Sequence, residues 1–378
     1  MKRVVVTGAT GFVGANLARR LLADGHEVHL LVQRGYTRWR VDEIRRDVHL
    51  HEVALADEAA LTRVLRRIRP DWIFHLAAHG AYSWQTDVDR IVQTNLLGTI
   101  ALVQAALRTG FEAFVNTGSS SEYGFKDHAP AEDEWVDPNS HYAVTKASAT
   151  MFCRYTAISR GVLLPTLRLY SVYGPYEDPM RLMPTVVLRG LDGALPPLTR
   201  PETARDYVHV DDVCEAYVLA ATRREQAPGA VYNVGSGVQT SLREVVEVAR
   251  REFGIAAEPV WGGMADRSWD TSVWVADPTR ITQALGWRPR HAFADGLHVM
   301  ADWFRGSPAA RALYRELRGE TPAASAVPRL PLQPRAGERP RPVAVVPALR
   351  FARPKRARAK APAAPAAPAV RERVPRQP

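Results

Sequence analysis

Lys2-Arg-Val-Val-Val-Thr-Gly-Ala-Thr-Gly-Phe-Val-Gly14 decides how the rest of this 378-residue chain is read. A β-branched run, Lys2–Thr7, leads into glycines at Gly8, Gly11 and Gly14, and then into an amphipathic stretch ending at Ala23. The run reads as a buried strand and Gly11–Ala23 as a helix. Each glycine has its own physical reason. The first permits a tight turn, the second lets the backbone approach a pyrophosphate, and the third lets the helix pack against the sheet. Unpaired N–H groups and the positive end of the helix dipole complete an anion site. This strand-turn-helix context points to a dinucleotide. Met1-Lys2-Arg3 before Val4–Val6 has the charge of a secretory leader, but the apolar run ends at Thr7, too soon for one.

Working outward, short apolar runs alternate with helical stretches. Glu27–Val32, Val48–Val53, Trp72–His75, Ala113–Thr117 and Pro165–Leu169 read as strands; Glu58–Ile68, Val88–Thr109 and Tyr142–Arg160 read as helices. Parallel strands need crossover connections, so the alternation predicts an α/β fold, a doubly wound Rossmann sheet with helices on both faces. Past Gly174 the prolines Pro175, Pro179, Pro184, Pro196, Pro197 and Pro201 interrupt the pattern. That predicts a smaller, irregular C-terminal substrate-binding lobe, with helices at Leu242–Phe253 and Asp295–Phe304. The expected division is 1–170 for the dinucleotide-binding half, completed by segments within 205–236, and 171–320 for the lobe.

Residues 321–378 are a third region, a basic Pro/Ala-rich tail. It is expected to be disordered, because proline removes backbone donors and alanine alone builds no core. The tail holds thirteen Lys or Arg and two Glu, so the chain's net charge of +10 resides there and the body is close to neutral. No specific nucleic-acid partner is therefore expected; Arg353–Lys360 offers at most a weak, salt-sensitive contact with an acidic surface. No apolar run approaches the roughly 20 residues of a membrane span. Cys153 and Cys214 are too few for a disulfide or zinc framework, which points to packed thiols, a reducing cytoplasm and no metal site.

The end of the second strand bears on the cofactor. A carboxylate there binds the ribose 2′-hydroxyl of NAD, whereas an arginine accommodates the 2′-phosphate of NADP. The strand ends Leu31-Val32-Gln33-Arg34, with Arg38 and Arg40 following, so NADP(H) is expected and NAD(H) is the alternative. A second motif is Tyr142-Ala-Val-Thr-Lys146. Residues four apart share a helix face, and an ammonium beside a phenol favours phenolate, which can then exchange a proton with a hydroxyl or carbonyl. Ser119-Ser120-Ser121 follows the strand Ala113–Thr117, whose end faces the ligand crevice of a doubly wound sheet.

With these motifs in this order, the chain resembles an extended short-chain dehydrogenase/reductase of the NAD(P)-dependent epimerase/dehydratase family, over roughly residues 1–305. The resemblance is carried by Thr7–Gly14, His75–Ala78, Asn95–Gly98, Ser119–Gly124, Tyr142 with Lys146, Val172–Pro175, Ala204–Asp212 and Tyr232–Ser236. It implies hydride transfer at a sugar carbon, with Tyr142 as acid and base and Lys146 on the nicotinamide ribose. It implies cofactor contacts from Gly8, Gly11, Phe12, Val13, Gly14, Arg34, Leu76, Ala77, Ala78, Asn95 and Thr117. A nucleoside-diphosphate sugar would meet His79, Glu122, Ser171, Arg205 and Arg267; arginine suits a diphosphate because its planar fork bonds two oxygens at once. A homodimer through Val88–Thr109 and Tyr142–Arg160 is implied as well.

The family performs 4-epimerisation, 4,6-dehydration or reduction of a 4-keto sugar. Counting back from Tyr123-Gly124 puts Ser119 at the catalytic Ser/Thr position. Ser121 then stands where dehydratases carry a glutamate, and Glu122 is displaced by one residue. Ser119–Gly124, Arg34 and Ile68–Ala78 are similar to GDP-4-keto-6-deoxymannose reductase-like 4-ketoreductases. The expectation is thus NADPH-dependent reduction of a nucleotide-linked 4-keto-6-deoxyhexose. The alternatives are an NAD-dependent 4-epimerase, a 4,6-dehydratase and, last, a non-catalytic NADP sensor, which the presence of both Tyr142 and Lys146 disfavours.

Overall fold

The structure is a computed structural model and describes residues 1–82, 84–264 and 271–320, so Arg267 and the basic tail lie outside the described residues. The first half runs β1 (Arg3–Thr7), α1 (Phe12–Ala23), β2 (Glu27–Val32), β3 (His49–Glu52), α2 (Glu58–Ile68), β4 (Trp72–His75), α3 (Val88–Val92), α4 (Gly98–Thr109), β5 (Ala113–Ser119), α5 (His141–Arg160) and β6 (Thr166–Leu169). It continues through β7 (Ser171–Tyr173), α6 (Leu182–Leu191), β8 (Ala204–His209), α7 (Val210–Thr222), β9 (Val231–Val234), β10 (Gln239–Ser241), α8 (Leu242–Phe253), α9 (Thr279–Leu285), α10 (Phe293–Gly306) and α11 (Pro308–Leu317).

Among the described residues, seven parallel strands form one sheet in the order β3-β2-β1-β4-β5-β6-β9. Both faces are covered, which is why β1 is apolar at every central position, Val4, Val5 and Val6 being fully buried. One face packs on α1 and α7, the other on α2, α4 and α5. The strand order reverses between β1 and β4, which opens a crevice at their C-terminal ends. His75, at the end of β4, ties the reversal together: its ring bonds the hydroxyls of Thr7 (2.7 Å) and Thr99 (2.8 Å), and burial holds it down at about 3, a neutral imidazole.

Two expectations need correction. Val88–Thr109 is not a single regular helix, because residues Gln93–Leu97 make one wider π turn between α3 and α4. Such turns are often functional; here the turn holds the buried Asn95. The chain beyond Gly174 is also more regular than its prolines suggest. Pro184 is the third residue of α6, in the first turn, where backbone N–H groups have no helical acceptor and proline is tolerated. Beyond it, α7 returns to pack on α1, and β9 extends the large sheet beside β6.

A smaller sheet, β10-β8-β7, carries the second lobe, whose core gathers α6, α8, α10 and α11. Asp206 of β8 locks it in place: its buried carboxylate accepts from the backbone N–H groups of Ser236, Gly237 and Ala276 and from the Ser236 hydroxyl.

Candidate active site

The turn after β1 fits a dinucleotide. Gly8 has φ +71 and a Cβ there would fall 2.5 Å from the Ala77 nitrogen, so the turn is pressed against Leu76–Ala77 beyond β4. A Cβ on Gly14 would strike the Gly8 carbonyl, whereas one on Gly11 would meet only that carbonyl at 3.1 Å, leaving the approach side of the backbone open. Helix α1 starts at Phe12 and Val13 with no side-chain cap, so its first N–H groups remain available to a phosphate at the crevice. Asn95 shapes the opposite wall. Its side chain accepts from the His79 N–H (2.8 Å) and donates to the His79 carbonyl (2.8 Å) and to Thr145 of α5 (3.0 Å), fixing the loop from Ala78 to Gly80.

Helix α5 delivers Tyr142, Lys146 and Thr150 on one face, one turn apart, and starts at Ser140, whose hydroxyl caps the Ala143 N–H. Ser119, the last residue of β5, faces the Tyr142 phenol and its hydrogen bond favours phenolate, but burial dominates and pushes the phenol up to about 12. The motif alone leads one to expect Lys146 to lower that value. Instead the lysine is buried, donates to the Thr117 carbonyl, and is itself pushed down to about 8 by desolvation against an opposing pull from Glu122. The Thr117 hydroxyl pairs with Tyr217 (2.6 Å), so this residue braces the lysine rather than presenting a free group.

Glu122 also differs from its expected role as a sugar contact. It is fully buried. One carboxylate oxygen accepts from the Ser119 N–H (2.9 Å) and the Thr150 hydroxyl (3.0 Å), and the other accepts from Arg168 Nε of β6 (2.9 Å). It sits beneath the serine loop and links it to the helix that carries Tyr142.

Past β2, Arg34 is exposed, as is Arg38. Arg40 is not a candidate for a 2′-phosphate: it is buried and donates to the carbonyls of Tyr176 (2.8 Å) and Thr10 (3.4 Å). Ser171 lies half-buried on β7 and Arg205 half-buried on β8. The Arg205 guanidinium lies 5.5 Å from the ring centre of Trp274, whose indole N–H donates to Ser120 (3.2 Å), so one aromatic ring connects that arginine to the serine loop. Trp274, together with Tyr82 and Arg181, whose charges act on the Tyr142 phenol, carries no signal in the sequence. All three sit in irregular segments where no periodicity or motif marks them.

The model of the NAD dependent epimerase/dehydratase family matches residues 4–235. A UDP-glucose 4-epimerase from Mycolicibacterium smegmatis is 33% identical over 314 residues, covering 80% of this chain and 98% of its own. A dTDP-glucose 4,6-dehydratase from Streptomyces antibioticus is 30% identical over 347 residues, covering 86% of this chain and 98% of its own. Among solved structures, the Thermus thermophilus UDP-glucose 4-epimerase in complex with NAD superimposes with a TM-score of 0.70 at 30% identity, covering 80% of this chain and 99% of that one. Glycine turn, π-turn asparagine, serine loop and Tyr-Lys helix therefore have a common explanation: the chain belongs to the NAD-dependent epimerase/dehydratase family.

Proposed function

We propose that the protein is a 4-epimerase of a nucleoside-diphosphate hexose, working with NAD(H). The reading rests on the loop Ser119–Ser121, which offers only hydroxyls, while the adjacent acid, Glu122, has its carboxylate engaged by Arg168, Thr150 and the Ser119 N–H. Dehydration needs an acid to protonate a departing hydroxyl, and no carboxyl on this loop is free to do so. That favours epimerisation over dehydration, and the names of the relatives favour both over reduction.

A bound nicotinamide supplies the hydride acceptor and, later, the hydride donor. Tyr142, in its phenolate form, accepts the proton of the sugar 4-hydroxyl as the C4–H bond is broken, and returns it to the 4-keto oxygen after the sugar has presented its other face. Ser119 holds that oxygen. Lys146, pinned at the Thr117 carbonyl, keeps a positive charge beside the proton-transfer path below about pH 8. Arg205 serves the diphosphate. The exposed face Val144, Met151, Tyr155 and Ile158 of α5 has one-sided helical spacing and suits a homodimer. Buried, unpaired Cys153 and Cys214 suit the cytoplasm.

A second reading, the NADPH-dependent ketoreductase, is favoured by one observation: Gln33 and the exposed Arg34 stand where NAD enzymes carry an acid. One assay separates the two. Purified protein is given UDP- and dTDP-linked glucose and galactose, and separately a nucleotide-linked 4-keto-6-deoxyhexose with NADPH or NADH. Interconversion of the two hexoses with no net change in nicotinamide absorbance, abolished by Tyr142→Phe, is the expected result. Stoichiometric loss of NADPH on the keto sugar, with no interconversion, overturns it in favour of the reductase; a 4-keto product from the glucose substrate overturns it in favour of the dehydratase.

A further inference from the structure

On the β2–β3 edge of the large sheet, toward the N-terminal end of β2 and so away from the crevice, four side chains converge whose chemistry the active site does not use. Glu27 and His29 are two apart on β2 and share one sheet face; His49 and His51 are two apart on β3, and the register pairs His29 with His49 and Leu31 with His51. Parallel pairing therefore puts all four on the same face. The His29 and His49 rings stack, with centroids 4.7 Å apart and planes 22° apart. Their Nε2 atoms lie 3.1 Å and 3.7 Å from the same Glu27 oxygen. These three donor atoms all fall within 4.8 Å of one another.

We propose that Glu27, His29 and His49 form a binding site for a divalent transition metal of the zinc class. In a tetrahedral zinc site with bonds of about 2.0–2.1 Å, donor atoms sit about 3.3 Å apart, so the 3.1 Å and 3.7 Å separations need only a small closure around the ion. His51 supplies what such a site needs behind its ligands. Its Nε2 lies 3.0 Å from His29 Nδ1, so it can hold the His29 proton on Nδ1 and leave the Nε2 lone pair for the metal. Two imidazoles and a single carboxylate suit zinc, nickel or cobalt, whereas magnesium and calcium demand more oxygen donors. His49 is exposed, with 59% of its side chain accessible, so an ion has an open route in and a water can complete the coordination. Metal bound here would clip edge strand β3 to β2.

The site is distinct from the nicotinamide chemistry, so its test does not depend on activity. The untagged full chain, stripped with chelator, is titrated with Zn²⁺ by calorimetry and with Co²⁺ by visible absorption. One equivalent should bind at micromolar or tighter affinity, cobalt should give the intense bands of a four-coordinate site, and zinc should raise the thermal midpoint. His49→Ala, an exposed change that leaves the fold alone, should weaken binding at least tenfold, as should Glu27→Gln. Equal binding by wild type and both variants, or no binding at micromolar metal, overturns the proposal. So does loss of binding on His291→Ala instead, which would assign the metal to the separate group His209, Asp211 and His291.

Discussion

Glu122, beneath the serine loop, and Glu177, in the turn after β7, are both withdrawn from water, with 0% and 5% of their surface accessible. Their surroundings treat them differently. Glu122 meets a guanidinium at 2.9 Å, a backbone N–H and a hydroxyl, and both its oxygens are engaged. Glu177 has an oxygen with no partner, and the cation beside it, Arg181, stands off at 3.8 Å. Burial pushes its carboxyl up to about 8, against the weaker pull of Arg181. Its neighbour Tyr176 has left-handed backbone, φ 67, which costs a side-chain-bearing residue energy. Burial alone therefore does not set the state of an acid; the donors brought to it by distant elements do. The region under the serine loop is built to hold a charge still, and the turn after β7 to hold a proton.

The largest effect should come from breaking the satisfied pair. Arg168→Met leaves Glu122 buried without its cation, and removing one partner of a buried ion pair costs roughly 3–5 kcal/mol. Denaturant unfolding should show that loss, and the double variant Glu122→Gln/Arg168→Met should recover much of it, because no charge is then stranded. A loss below about 1 kcal/mol for the single variant would mean that water reaches the pair and that the contrast with Glu177 is false.

Glu177 gives the next test, and its sign is opposite. The folded carboxyl titrates near 8 and the unfolded one near 4.5, so the folded state binds the extra proton between those values. Stability is then highest below about pH 4.5 as far as this group is concerned, and falls as the pH rises. The loss amounts to roughly 3 kcal/mol by pH 7 and stops growing once the pH passes 8. Glu177→Gln removes the ionisation, so its stability should pull ahead of wild type steadily from acid to neutral pH. Parallel stability-pH curves for the two proteins would show that Glu177 is paired in solution after all.

This contrast also marks how far the sequence can be read. Gly8, Gly11 and Gly14 and the pair Tyr142–Lys146 are legible because their chemistry is local: a turn, a helix start, two residues on one helix face. Arg168 stands 46 residues from Glu122 and looks like one more polar residue in an apolar strand. Nothing in either segment announces the other, so from sequence Glu122 reads as facing the sugar. Arg40 misleads for the same reason, since its acceptors, Tyr176 and Thr10, come from two other parts of the chain. The π turn at Asn95 is equally hidden, because the same apolar spacing suits a regular helix until His79 arrives to be bonded. The histidines of β2 and β3 cannot be grouped until the register is known. The family, by contrast, rests on the short-range motifs, which is why it is readable in full while the reaction is not.

The smallest effect should distinguish which of Glu122's contacts matters. Thr150 donates one hydrogen bond to the carboxylate oxygen that also takes the Ser119 N–H. Thr150→Val keeps the shape and the branching at this 3%-exposed position and removes only the hydroxyl, so the cost should be about 1.5–2 kcal/mol, the low end for a hydrogen bond to a charged group. The hydroxyl also joins the serine loop to the helix bearing Tyr142 two turns away. If the joint positions Ser119 against the phenol, kcat should fall severalfold with KM nearly unchanged, while Thr150→Ser restores kcat. An unchanged kcat alongside the small stability loss would assign alignment of the serine loop to Arg168 and the Ser119 N–H alone, and Glu122 would then act through the strand rather than through the helix.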